Sequence, residues 1–577
     1  MPSIARTTLA VLTSLVLLVP LAGAQVLDQR ARALGLFREQ KYTEAAELYG
    51  TLVKDNPYDG SLWAQWGYCL HAAKRWDEAL PAYDRAIALG QNPGGNMYNK
   101  ACALALLGKK DDALAWLERA LDTKFVEQET LENDSDWDSL RADPRFAMLT
   151  GITRGLKEKP GATREDGWKW DLDFYARRMK QMHYDLYTKV SEKVFHAELD
   201  TLKGDIAKLT DDQARARLRK ITAMVGDGHT QSMLSPEGAA STPRLPLHLY
   251  AFKDGLFIIG AAKDQASLVG SRVLKVGPLT ADAAMTAVRP YVSVDNDMGY
   301  LSGGPAILTN PIILAEIGAA KDQSGVELTI AAPGSKETTV KVVPVDMPRI
   351  RGGLMTIPGF TYAYESCKEP APLYRREPEK LQRTEIDASR RLAYFYFGAI
   401  QDGQHQSLAD ASRELFEAVE KNKVENVVID MRYNGGGNTG LIRPFINGLV
   451  SWKPSQERGH LFVIIGRGTF SAAQNTVNLI DTNTAAVFVG EPTGSSPHFI
   501  GESTWFVLPH SRTRVFCSSR YWQVLDSTDD RCWVAPEIPA EMTFADYAGN
   551  RDPAMEAIYA VIGPPSPRAP GGPGVTR

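Results

Sequence analysis

A period of 34 residues near the N-terminus constrains the fold of this chain more than any other feature. Ala45, Ala79 and Ala113 stand at that interval, as do Tyr49, Tyr83 and Leu117, then Leu52, Ala86 and Ala120, and also Ala33, Gly67 and Ala101. The pairs Glu44-Ala45, Glu78-Ala79 and Asp112-Ala113 mark the same point of each unit. Small residues return where two helices approach closely, and larger apolar ones return where they fill a groove. Residues 30–122 are therefore expected to stack as helical units, each contacting its neighbours.

The pattern resembles the tetratricopeptide repeat, a helix-turn-helix unit, and the resemblance implies an inner surface that binds peptides or a protein partner. A stabilising appendage with no specific ligand is the competing expectation. Asp134 to Phe146 reads as a closing segment, which gives a repeat domain over 25–153. Residues 154–166, charged and with Gly and Pro, read as a linker.

Composition narrows the rest. Apolar residues make up 44% and charged residues 23% of the 577, which is globular rather than disordered or collagenous. Lys plus Arg total 65 against 69 Asp plus Glu, so the chain lacks the basic excess that phosphate neutralisation requires, and no nucleic-acid partner is expected. Arg6, the apolar run Leu9 to Val19 and the ending Ala22-Gly23-Ala24 form an export-signal pattern, with cleavage expected after Ala24. That run is shorter than the roughly 20 residues of a membrane span. A periplasmic or secreted protein is expected, with no integral membrane segment after signal cleavage. The tail 563–577 holds five Pro and four Gly and is expected to be disordered.

Five cysteines remain: Cys69, Cys102, Cys367, Cys517 and Cys532. An odd number leaves one without an intrachain partner. Cys517 and Cys532 flank an expected hairpin, and export permits a bridge between them. Cys69 and Cys102 fall at helical core positions. No Cys-x-x-Cys or His-Glu-x-x-His sequence occurs, so neither a metal nor another cofactor is expected.

The middle of the chain changes character twice. Phe174, Met179, Met182, Leu186, Val190, Val194 and Leu199 recur at helical spacing, and the expected helical segment 165–235 runs into Val225-Gly-Asp-Gly-His-Thr230, whose glycines turn His229 away from the packed face. Residues 240–348 are β-rich, with strands at Leu256–Gly260, Ser271–Val276, Val326–Ile330 and Val340–Pro344. This stretch is similar to a PDZ-like module, which implies strand addition by a peptide. Residues 349–389 show little periodicity and read as an insertion or loop.

From 390 to 562 strands and helices alternate, which argues for a layered α/β domain. Val427–Asp430 is a buried strand ending in Met431-Arg-Tyr-Asn-Gly-Gly-Gly437, and Leu461–Ile465 is another, followed by Gly466-Arg-Gly-Thr-Phe-Ser471 and a helix. Consecutive glycines let backbone N–H groups approach a ligand. A serine between strand and helix is rigidly mounted for attack, although alone it would read as a helix cap.

Taken in order, Val-Gly-Asp-Gly-His-Thr, Val-Val-Ile-Asp-Met-Arg-Tyr-Asn-Gly-Gly-Gly-Asn and Gly-Arg-Gly-Thr-Phe-Ser-Ala-Ala-Gln resemble the tail-specific proteases, which include the C-terminal processing peptidases and the tricorn core, over residues 165–560. The resemblance implies a multidomain α+β protein with a crotonase/ClpP-like serine peptidase core. One variant of the family uses a Ser-Lys dyad, but Gly494-Ser-Ser-Pro-His498 stands where its lysine would be. The tricorn-like variant implies Ser471 as nucleophile, His229 as base and an acid that falls on Asp530, with Asp529 beside it, where the family has Glu. The N–H groups of Gly436 and Ala472 would hold the oxyanion, the choice among glycines 435–437 being open. His498 is the rival base. The function expected is an exported serine endopeptidase acting on peptide or protein substrates. The competing expectations are a catalytically idle scaffold that binds peptides, or another hydrolase on the same core.

Overall fold

A computed structural model of the chain describes residues 27–123, 128–157, 161–348 and 356–564. The export segment 1–24 and nearly all of the tail 563–577 lie outside the described residues. None of the described helices is long and apolar enough to cross a membrane. The described residues form two compact units that divide after Met182, with Leu508–His510 belonging to the first.

In the first unit, the helix over 27–38 is followed by Tyr42–Asp55, Gly60–Ala72, Trp76–Ala88, Pro93–Leu106 and Lys110–Asp122, each packed on the next. The 34-residue register explains the contacts. Ala45, Ala79 and Ala113 are completely buried, and Tyr49, Tyr83 and Leu117 fill the space between helices. A Cβ on Gly67 would lie 2.8 Å from the Tyr83 ring, so only glycine lets these helices approach so closely. Helix Arg164–Met182, expected to begin the peptidase unit, instead packs on Lys110–Asp122 and Pro144–Thr150 and adds an Arg177–Glu118 ion pair. Its apolar residues Trp168, Leu172, Phe174 and Tyr175 find their partners there rather than downstream.

The second unit begins with helices Glu192–Asp205 and Asp211–Ala223. The β-rich module has strands Leu247–Phe252, Gly255–Ala262, Arg272–Val276, Val326–Ala331 and Thr338–Val342, antiparallel throughout, with helices Ala281–Val288 and Asp297–Ile307. Leu249, Ile258, Val273, Val276, Leu328 and Ile330 close its core.

Six strands form the sheet of the C-terminal α/β part, in the order Gln382–Asp387, Leu392–Phe397, Asn426–Asp430, Leu461–Ile465, Val487–Gly490, Ile538–Pro539. All neighbours are parallel except the first pair. Parallel central strands are buried on both faces, which explains their continuous apolar runs. Val427, Ile429, Val463 and Ile465 face helices Leu408–Lys421, Arg443–Ser451 and Ala472–Asn483, while Val428, Phe462 and Ile464 face Pro553–Ile562. Residues 349–355 of the expected insertion 349–389 lie outside the described residues, and the rest is more than a loop. Gln382–Asp387 is the antiparallel edge strand of this sheet, and Phe360–Tyr362 pairs with Gly260–Ala262. Gln-Arg-Thr-Glu-Ile-Asp is polar because an edge strand keeps water on one side.

A third sheet joins Gln231–Pro236, Thr513–Trp522 and Phe499–Val507. None of the five cysteines is in a disulfide. Cys517 is buried in the middle of Thr513–Trp522 opposite Thr504, while Cys532 is exposed in the loop that follows, so the permitted bridge is not formed.

Candidate active site

The site forms where loops from two sheets meet. Strand Asn426–Asp430 ends in the glycine turn, and strand Leu461–Ile465 ends in Gly466–Ser471. The two turns are laced together. Phe470 N–H donates to Asn434 O at 3.0 Å, and the Thr469 hydroxyl donates to Met431 O at 2.8 Å. Ser471 then sits with φ 59° and ψ −126° immediately before helix Ala472–Asn483. A serine rarely adopts that backbone, and the strained strand-to-helix turn lifts its hydroxyl clear of the helix. Its side chain makes no cap bond to the helix it precedes, so the capping role is not the one it fills.

His229 reaches this point from 242 positions earlier in the sequence. It stands at the head of strand Gln231–Pro236, which pairs with Thr513–Trp522 through Gln231–Phe516 and Ser232–Val515. His229 Nε2 lies 2.9 Å from Ser471 Oγ. The imidazole is stacked between Phe470 and Phe499, with ring centroids 4.4 and 5.5 Å away. Gly228 gives the Phe470 ring its room, since a Cβ there would come within 2.7 Å of it. Burial lowers the imidazole pKa below 6.5, against the opposing pull of Asp295, Asp227, Glu502 and the Ile500 backbone. The ring is thus neutral near pH 7 and free to accept a proton.

Two carboxylates hold the turn that carries His229. Asp227 accepts from the N–H groups of His229 and Thr230 at 2.9 and 2.7 Å, from Ser518 Oγ at 2.7 Å, and pairs with His183 Nε2 at 2.8 Å. Burial opposes its ionisation, yet these donors hold the carboxyl below its usual range. Asp295 accepts from Gly228 N–H at 2.7 Å and from Ser495 Oγ at 2.6 Å. Burial raises its pKa, and His229, Ser495 and Gly228 counter that rise. Neither residue stood out in the sequence as part of a site. Asp227 had a signal, since an aspartate two residues before the turn's end captures following N–H groups. Asp295 had none.

Asp530 is not brought to the histidine. It is exposed in the loop after Trp522, and Asp529 pairs with Arg531 at 2.7 Å. Among the described residues no carboxylate bonds His229 Nδ1. His498 turns away from Ser471, its Nε2 lying 2.9 Å from Asp526 O.

The glycines divide their work. Gly436, with φ 99°, is packed so tightly that a Cβ would lie 2.7 Å from Ser471 Cβ and 2.9 Å from Ala472 N. Its N–H, expected at the oxyanion, instead donates to Asn434 Oδ1 at 3.0 Å. An N–H committed to an Asx turn is not available to a substrate. Gly437 and Ala472 both line the pocket of about 220 Å³ that holds Ser471 and His229. Gly437 is placed by the bonds on either side of it, Ile400 N–H to Gly436 O and Asn438 N–H to Ile400 O, and its own N–H makes no hydrogen bond among the described residues.

Under the glycine turn, the buried Arg432 bridges Asp430 at 2.8 Å and Asp552 at 2.8 Å. A larger cavity of about 630 Å³ adjoins the site and is lined by Tyr250, Tyr433, Gly435, Arg467 and Phe470 among others. In the first unit, Cys102, Asp134 and Asp136 bring ligand atoms within 4.8 Å of one another. Asp134 is already engaged by Tyr98 Oη at 2.6 Å, and Asp136 by His71 at 2.9 Å.

Comparison with known proteins places the repeats and the core separately. Residues 30–96 match the tetratricopeptide repeat family. No curated protein sequence matches the chain. Among solved structures, mature CPAF complexed with lactacystin is similar at 13% identity over 69% of this chain and 98% of that one, with a TM-score of 0.49. The photosystem II D1 C-terminal processing protease is similar at 14% identity over 70% and 98%, with a TM-score of 0.33. The tricorn protease is similar at 12% identity over 71% of this chain and 38% of that one, with a TM-score of 0.33. The kinds of protein expected from the three motifs are thus present among the structural neighbours.

Proposed function

We propose that this chain is an exported serine endopeptidase with Ser471 as nucleophile and His229 as base. The observation that carries the reading is the 2.9 Å approach of His229 Nε2 to the hydroxyl of a backbone-strained serine. With Nδ1 protonated, Nε2 takes the Ser471 proton as Oγ attacks the scissile carbonyl. The oxyanion forms beside the N–H groups of Gly437 and Ala472, each such donor contributing about 3 kcal/mol. The imidazolium then hands its proton to the leaving amine, and a water activated by the same nitrogen releases the acyl group.

Among the described residues no carboxylate bonds Nδ1, so the imidazolium would draw its stabilisation from the nearby charges of Asp295 and Asp227 and from the Ile500 backbone. The remaining parts follow the same reading. The β-rich module is PDZ-like and holds a substrate strand, the core is crotonase/ClpP-like, and the repeats offer a surface to a protein partner. Export is supported by the N-terminal signal pattern alone.

The exposed position of Asp530 favours a second reading, an idle scaffold that grips peptides. A fluorophosphonate probe separates the two. Labelling of the wild-type chain that disappears in Ser471→Ala and drops steeply in His229→Ala supports the enzyme. Folded wild-type protein that takes no label supports the scaffold.

A further inference from the structure

We infer that Glu502 makes the pocket beside Ser471 a subsite for a cationic side chain, lysine or arginine, flanking the bond to be cut; the inference rests on the peptidase reading above. The pocket of about 220 Å³ is walled by His229, Ser471, Ala472, Phe499 and Trp522, and among the described residues Glu502 is the one carboxylate or fixed charge on its lining.

The surrounding acids are spent. Asp227 is consumed by four donors and Asp295 by two. Glu502 has no ion pair among the described residues, and its side chain is exposed, so it remains hydrated and ready to accept a cation. Its backbone is unusual for a strand. Within Phe499–Val507 it alone has a left-handed conformation, φ 60°, opposite Ser519, whose hydroxyl donates to Glu502 O at 2.9 Å. Glutamate is disfavoured in that conformation, and such residues persist where surrounding structure holds them for a purpose.

The walls suit the stem of the same ligand. Phe499 and Trp522 are cross-strand partners and both border the pocket. Aromatic faces take the methylenes of lysine or arginine and attract the charge at their end. Arg520 lies with its guanidinium 5.2 Å from the Trp522 ring centroid but does not line the pocket. The two rim charges therefore predict opposite substrates, and the one that borders the nucleophile is the glutamate.

The test uses the full chain and internally quenched peptides that carry Lys, Ala or Glu on either side of one scissile bond. Fluorophosphonate labelling of the same preparation reports the nucleophile independently of any subsite. The expected result is a preference for Lys over Ala of roughly fivefold or more in kcat/KM, the scale of a partly exposed charge pair. In Glu502→Gln that ratio falls toward one, mainly through KM. Glu502→Asp retains part of it, and Glu502→Lys shifts preference toward the Glu peptide.

A preference for Glu in the wild type would point to Arg520 and overturn the inference. So would a Glu502→Gln variant that keeps the Lys-to-Ala ratio, or that loses kcat equally for all three peptides, which would assign Glu502 to the histidine. In those cases labelling persists and the peptidase reading stands. A wild type that neither labels nor cleaves any peptide defeats both.

Discussion

Asp295 Oδ2 receives a hydrogen bond from Ser495 Oγ at 2.6 Å, across 200 residues of sequence. Ser495 stands in the loop where the dyad variant would place a lysine, and its Oγ in turn accepts a 3.5 Å contact from the Ser471 N–H. The other oxygen of Asp295 holds Gly228, next to His229. One carboxylate therefore ties the turn of the histidine to the turn of the serine.

Asp295 raises the proton affinity of His229, while burial lowers it. As the proposed base, His229 must be neutral, so kcat/KM should fall as pH drops through its pKa, and that acid limb should lie below 6.5. Asp295→Asn removes a negative charge, which lowers the imidazole pKa further, and the limb should move to lower pH. A pH–rate profile of both proteins checks this. A limb that does not move in the variant would show that Asp295 carries no charge where His229 titrates.

Asp227 should matter to stability as well as to geometry. Its folded pKa is depressed below 3.8. Its contribution is therefore complete above the unfolded value and is lost as pH falls through the folded one. Asp227→Asn should cost about 1–3 kcal/mol near pH 7, because several buried donors lose a charged acceptor. Thermal melts of wild type and variant should differ at pH 7 and converge as the solution is acidified below the unfolded value.

At Gly436 a single methyl should abolish catalysis. Its φ of 99° and the 2.7 Å approach to Ser471 Cβ leave no place for a Cβ. Gly436→Ala should reduce kcat/KM by roughly a hundredfold or more, since displacing a nucleophile by an ångström has that effect. Peptide cleavage assays measure the loss, and circular dichroism shows whether the fold remains.

Arg432 answers two buried aspartates, Asp430 and Asp552. Arg432→Met leaves both carboxylates buried without a cation and should destabilise the second unit by about 3–5 kcal/mol. Differential scanning calorimetry should show a lowered transition for that unit. An unchanged melting temperature would mean that water reaches the aspartates.

The repeats were legible because their helices pack locally. Each alanine or glycine of the 34-residue register meets a neighbour less than one unit away, so periodicity alone predicts the contact. The central strands were legible for a related reason. Val427–Ile429 and Leu461–Ile465 are apolar at every position, as burial on both faces requires. Gln382–Asp387 was missed because an edge strand half in water carries no such signature. Helix Arg164–Met182 was assigned to the wrong neighbour because an amphipathic pattern shows that a face is buried without showing against what.

Sequence by itself determined that Ser471 follows a strand and opens a helix, that glycines crowd the neighbouring turn, and that His229 ends a glycine-rich loop. These are local properties, written in residues that share one turn. Only the tertiary structure decided which donor and which acid surround them. Gly436 surrenders its N–H to Asn434 within its own turn, while Asp530 stays in solvent and Asp295 enters from the β-rich module because hydrogen bonds between segments far apart in sequence depend on how sheets pack rather than on order along the chain.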